Sequence, residues 1–130
     1  MIEEKKGNWR KISVTALWLE ADDYPVLLSI CDLGVCLHYS SSGLDLPMKV
    51  VDMFGAGIPV LAIFFPALPE LVKDGKTGFV FDSKEKLTQK LTEVSLNDKL
   101  LLRLKEEVRK ESEHTWQKEW SLKFPKRMIK

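Results

Sequence analysis

The chain has 130 residues, 45% of them hydrophobic and 30% charged, with 20 Lys and Arg against 19 Asp and Glu for a formal net charge of +1. That length holds one modest domain with a real core, and the balance excludes an intrinsically disordered chain and gives no global signal for nucleic acid. Cys31 and Cys36 are too few for a disulfide framework, and no neighbouring Cys or His completes a metal set. A reducing compartment is therefore expected, with both cysteines in the core.

In chain order, Met1 to Arg10 is polar and charged with no apolar core of a secretion signal. No window approaches the roughly eighteen apolar residues of a membrane span, so the chain reads as soluble. Lys11 to Leu17 is of strand length, and Tyr24 to Cys31 reads as a helix behind the cap Asp23, with Pro25 in its first turn. Leu33 to His38 is the next strand. The loop from Tyr39 to Leu46 follows, then a helix from Pro47 to Ala56 that ends at Gly57. Pro59 to Phe65 is a strand, Leu68 to Lys73 a short helix closing near Gly75, and Gly78 to Asp82 a last strand. Asp82 and Glu85 have capping-box spacing before a helix with Leu87, Leu91 and Val94 on one face. Another helix starts at about Asn97, carries Leu100, Leu101, Leu104 and Val108, and runs on to Trp116 and Trp120. The alternation implies an α/β fold, a Rossmann-like parallel sheet covered by helices. Residues 1–10 are then a polar lead, 11–94 the α/β unit, and 95–130 a helical extension ending in a basic tail of Lys123, Lys126, Arg127 and Lys130.

Chemistry concentrates between Ser40 and Val60. Ser40, Ser41, Ser42 and Gly43 form a hydroxyl- and glycine-containing loop, and Pro47 suits a helix start whose free N–H groups attract anions. Lys49 lies in that first turn and Asp52 three residues on, on the same face. Two readings of the pair stand: Lys49 at a phosphate with Asp52 accepting from a ribose diol, or an ordinary i,i+3 ion pair in solvent.

The run Pro47, Lys49, Asp52, Met53, Phe54, Gly57, Pro59, Val60, followed by Pro69, Glu70, Leu71, Val72, Asp74, Gly75, Thr77 and Gly78, resembles the donor half of GT-B glycosyltransferases. More narrowly, the stretch from Val14 to Phe81 is similar to the chitobiosyldiphosphodolichol β-mannosyltransferases, through Trp18-Leu19-Glu20-Ala21, Asp32-Leu33-Gly34-Val35-Cys36-Leu37-His38 and Ser40-Ser41-Ser42-Gly43-Leu44-Asp45-Leu46-Pro47. That resemblance implies a partial GT-B C-terminal domain. It implies transfer of the first β-linked mannose from GDP-mannose to lipid-linked chitobiose at the cytosolic face of the endoplasmic reticulum. It also implies a donor site of Ser42, Gly43, Pro47, Lys49 and Asp52, where the family usually has a glutamate at the Asp52 position. Trp18, Leu19 and His38 would line the nucleobase or its cleft.

The family carries a membrane anchor and an acceptor-binding domain, and neither is expected in these 130 residues. A non-catalytic truncated paralogue or subunit, binding nucleotide or a membrane-bound partner chain, is the alternative. No Asp-x-Asp pair is present, so the donor site is expected to work without a metal.

Other residues have plainer explanations. Trp18 alone is most simply buried, and His38, at a strand end with no acidic partner apparent in sequence, is read as a structural or positioning residue rather than a catalytic one. Asp45 is read as the cap of the helix at Pro47, and Glu70 as a carboxylate complementing a helix start. His114, Trp116 and Trp120 are read as packing or docking residues.

Overall fold

The computed structural model describes residues 12–113 and residue 118. Three parallel strands, β1 (Gly34–Cys36), β2 (Val60–Ile63) and β3 (Gly78–Phe81), form one sheet in that order. Around them stand α1 (Asp23–Ser29), α2 (Met48–Gly55), α3 (Lys84–Ser95) and α4 (Asp98–Ser112). Gly34 pairs with Val60 in one ladder and Val60 with Gly78 in the next, so all three strands start level. The Rossmann-like parallel sheet expected from the alternation is present.

β2 is central, and its apolar run is buried on both faces as a covered parallel sheet requires. Val60 and Ala62 face one layer with Val50 and Phe54 of α2, Phe65, Leu68, Val72 and Val108 of α4. Leu61 faces the other, with Phe79, Phe81, Val94 of α3 and Leu104 of α4. α4 thus serves both layers from positions one turn apart. Lys105 also binds Asp32, 2.7 Å away, which ties α4 to the segment entering β1.

Several sequence expectations are corrected. Residues 12–17 form no strand and are exposed throughout, because no described strand lies alongside to take up their backbone hydrogen bonds. Trp18 is 97% exposed rather than buried, since it follows this unpaired segment. Cys36 is buried as expected, while Cys31 is only partly so, its thiol donating to the Leu27 carbonyl.

The helix expected from Leu68 to Lys73 is a 3-10 turn, Leu68–Glu70. Lys73 Nζ donates to the carbonyls of Pro69 and Glu70, and buried Thr77 accepts from Lys73 N–H at 2.9 Å, so the chain turns toward β3 at once. The cap of α3 is Ser83, accepting from Lys86 N–H, because Asp82 is engaged by Lys86 Nζ at 2.6 Å. Asp23 is the first residue of α1 instead of its cap. Asn97 caps α4 through Leu100 N–H, and such caps are worth about 1 kcal/mol each.

The basic tail, His114, Trp116 and Trp120 lie outside the described residues, as does the polar lead. Among the described residues no helix is long and apolar enough to cross a membrane.

Candidate functional site

β1 and the loop after it open the site. Beyond Cys36 the chain has no regular structure to Ser40, then bends through Ser41, Ser42 and Gly43. The bend is closed by Gly43 N–H donating to the Ser40 carbonyl and Leu44 N–H to Ser42 Oγ. Gly43 sits at φ +73, a left-handed conformation that glycine adopts without strain, and its carbonyl accepts from Ala67 N–H. The loop is thereby pinned to the turn after β2.

Asp45 gathers the loop's side chains. Its carboxylate accepts from the hydroxyls of Ser40 and Ser42 and lies 3.1 Å from His38 Nε2. Ser40 is almost fully buried. Hydrogen bonds from Ser40, then His38, hold the Asp45 carboxyl below its ordinary pKa. This is the acidic partner of His38 that sequence could not supply. It also corrects the capping role expected of Asp45, because α2 has Pro47 at its cap position and no side-chain cap at all. The hydroxyls of Ser40 and Ser42 are committed to Asp45, and Gly43 N–H to Ser40, so Ser41 and the uncapped amides of Met48 and Lys49 are what the loop and helix start present outward.

On α2, Lys49 is exposed and makes no hydrogen bond or ion pair among the described residues. Asp52 is exposed too, and its only partner among the described residues is the Tyr24 hydroxyl, which donates across 3.5 Å from α1. The i,i+3 ion pair that the spacing allowed is not formed, which leaves both charges facing outward. Tyr24 is held above its ordinary pKa, first by burial and then by the Asp52 charge.

Tyr24 joins this carboxylate to an open groove of about 650 Å³ lined by Leu17, Trp18, Leu19, Glu20, Tyr24 and Leu27. Trp18 and Leu19, which were grouped with His38 from sequence, line that groove; His38 sits instead with Asp45 and packs edge-on against Phe65. Tyr24 escaped the sequence reading because an aromatic residue in a first helical turn carries no signal of its own. Glu70 is exposed at the end of its 3-10 turn, away from these groups' hydrogen bonds. Among the described residues no three His, Cys, Asp or Glu side chains converge as metal ligands.

The profile of the family described as glycosyl transferases group 1 matches residues 4–111. The chain belongs to the group 1 glycosyl transferases. This group 1 chain is 56% identical over 93 residues to UDP-glycosyltransferase TURAN of Arabidopsis thaliana, covering 70% of the chain and 20% of that protein. It is 45% identical over 116 residues to chitobiosyldiphosphodolichol beta-mannosyltransferase of Candida glabrata, covering 89% of the chain and 26% of that enzyme. With the Homo sapiens protein of the same name it shares 58% identity over 84 residues, 65% of the chain and 18% of the enzyme. The group 1 chain thus spans between 18 and 26% of the length of these relatives.

Proposed function

We propose that the chain is the donor-binding part of a β-mannosyltransferase. In this reading GDP-mannose supplies the first mannose of dolichol-diphosphate-linked chitobiose, at the cytosolic face of the endoplasmic reticulum. The observation that carries it is a Lys49 unpaired among the described residues in the first turn of an uncapped helix, one turn before an Asp52 that accepts from a tyrosine at the edge of an open groove. Relatives named chitobiosyldiphosphodolichol beta-mannosyltransferase share 42–58% of their aligned residues with the chain.

The chemistry follows from placement. Lys49 and the Met48 and Lys49 amides meet the diphosphate, where charge grows as the sugar–oxygen bond breaks, and preorganised donors of this kind act most strongly where water is excluded. Asp52 accepts from the ribose hydroxyls, with the Tyr24 hydroxyl fixing the carboxylate it donates to. The groove of Trp18 and Leu19 takes the base against aromatic and aliphatic surface. Ser42 and Gly43 act through backbone shape, holding the loop beside the phosphates, and Pro47 starts the helix. No metal has a part in this scheme.

The exposed Val14, Leu17 and Trp18 favour a second reading, a non-catalytic paralogue or subunit that docks a partner chain over that segment. Titration calorimetry separates the two. Under the first, GDP and GDP-mannose compete for one site and UDP, the comparator suggested by the name of one relative, binds more weakly. Lys49→Ala loses about 1–3 kcal/mol of binding, the scale of a charge-assisted hydrogen bond, and Asp52→Asn somewhat less. Absence of binding at millimolar nucleotide by a folded chain overturns the donor reading.

A further inference from the structure

Building on the donor-site reading, we propose that His38, oriented by Asp45, is a second cation for the donor diphosphate and stabilises the leaving group. It is not the base that deprotonates the acceptor. His38 lies two residues beyond the carboxyl end of β1, the edge of a parallel sheet at which ligands collect, and on the loop that leads into the Lys49 helix. Its ring is held on two sides, by Asp45 Oδ2 at 3.1 Å from Nε2 and by Phe65, edge-on at 75° with centroids 6.4 Å apart. Nδ1 has no partner among the described residues.

With Nε2 turned to Asp45, Nδ1 is the ring nitrogen left to face an external acceptor, and in the protonated ring it carries an N–H. Asp45 stays ionised for this task because the hydroxyls of Ser40 and Ser42 also donate to it. The groups meeting the ring are few. Asp45 comes from its own loop, Phe65 from the turn after β2 is apolar, and the neighbouring Tyr39 ring packs on the same Phe65.

The direction of the reaction decides between acid and base. Formation of a β-mannoside from an α-linked donor inverts the anomeric carbon, so the acceptor attacks from the face opposite the diphosphate. The acceptor oxygen bonds to that carbon as its bond to the phosphate oxygen breaks. The electron pair goes to the phosphate, and the acceptor proton goes to a carboxylate or water on the acceptor's side. A histidine on the diphosphate loop is on the departing side, where a donated N–H meets the growing charge.

The test is calorimetry of GDP-mannose on the 130-residue chain between about pH 5.5 and 8.5, across the usual histidine range. A nucleotide sugar is used because its diphosphate does not titrate there. The wild-type chain should bind roughly tenfold more weakly at the alkaline end, the scale of one charge-assisted hydrogen bond. His38→Gln should bind weakly at every pH, with a flat profile. Asp45→Asn, which removes the carboxylate that orients the ring, should weaken binding at the acid end. Lys49→Ala should weaken binding throughout yet keep the slope.

Proton NMR of the wild-type chain gives a readout independent of folding defects in variants. The chain has 2 histidines, and the titration midpoint of the His38 ring must rise when ligand binds. A flat wild-type profile, a slope that survives His38→Gln, or an unmoved midpoint overturns this role while the donor site stands. Failure of a folded wild-type chain to bind at any pH overturns both.

Discussion

At the scale of single residues, Asp45 shows how one carboxylate organises a loop. It collects two serines and a histidine, and its pKa in the folded chain is depressed by those hydrogen bonds. The sign of the linkage is fixed by that direction. A depressed carboxylate contributes stability that is fully present above its unfolded pKa, about 3.9, and lost as pH falls through the lower folded value. The wild-type urea midpoint should therefore drop on acidification below about pH 4 by more than that of Asp45→Asn, which has no carboxylate to titrate there. Equal acid sensitivity in the two proteins, followed by fluorescence, would show that the loop does not draw on this charge. Lys49 and Asp52 were legible as candidates from their spacing alone. That Asp52 turns to Tyr24 and away from Lys49 was not, because the tyrosine lies 28 residues earlier on another helix.

Among the elements, the parallel pairing of β2 with β3 rests on one close approach. A Cβ built on Gly78 would stand 1.9 Å from the Val60 carbonyl oxygen, a backbone atom that moves only if the strand does. Gly78→Ala is expected to lower stability by about 3 kcal/mol, the upper end for overpacking, and to shift the denaturant midpoint without changing the slope. A variant as stable as the wild type would mean that the β2–β3 register is looser than drawn. The strands at β1, β2 and β3 and the helices α1 to α4 were each legible in outline, because apolar runs bounded by Gly, Pro and polar residues carry period and length together. The failures are local. Residues 12–17 have strand composition but no described neighbour, and Leu68 to Lys73 has helical composition but must bend toward β3, so pairing and connection overrode propensity.

At the scale of the whole molecule, the groups proposed to hold the donor are the groove of Trp18 and Tyr24, the Asp52 carboxylate that Tyr24 joins to it, and the loop of His38 and Asp45. Mannosyl transfer needs the acceptor hydroxyl, a base and the anomeric carbon held together, and such positioning supplies roughly 7–11 kcal/mol of the barrier reduction. The 130-residue chain is accordingly expected to bind GDP-mannose without transferring mannose to lipid-linked chitobiose. Transfer should appear when an acceptor-binding domain of a relative is joined to it or added. A radiolabelled transfer assay with and without that domain checks this, and robust turnover by the chain alone would place the acceptor site on these residues.

Local period, backbone preference and short spacing along the chain dictate the α/β alternation, the helix start at Pro47 and the placing of Lys49 and Asp52 one turn apart. Only the tertiary structure decided which charges meet. It brought Asp45 to His38 across the loop and Tyr24 to Asp52 across two helices, it left Lys49 free among the described residues, and it exposed Trp18. The physical reason is that hydrogen-bond partners are selected by distances set when helices pack on a sheet, and those distances do not exist along the chain.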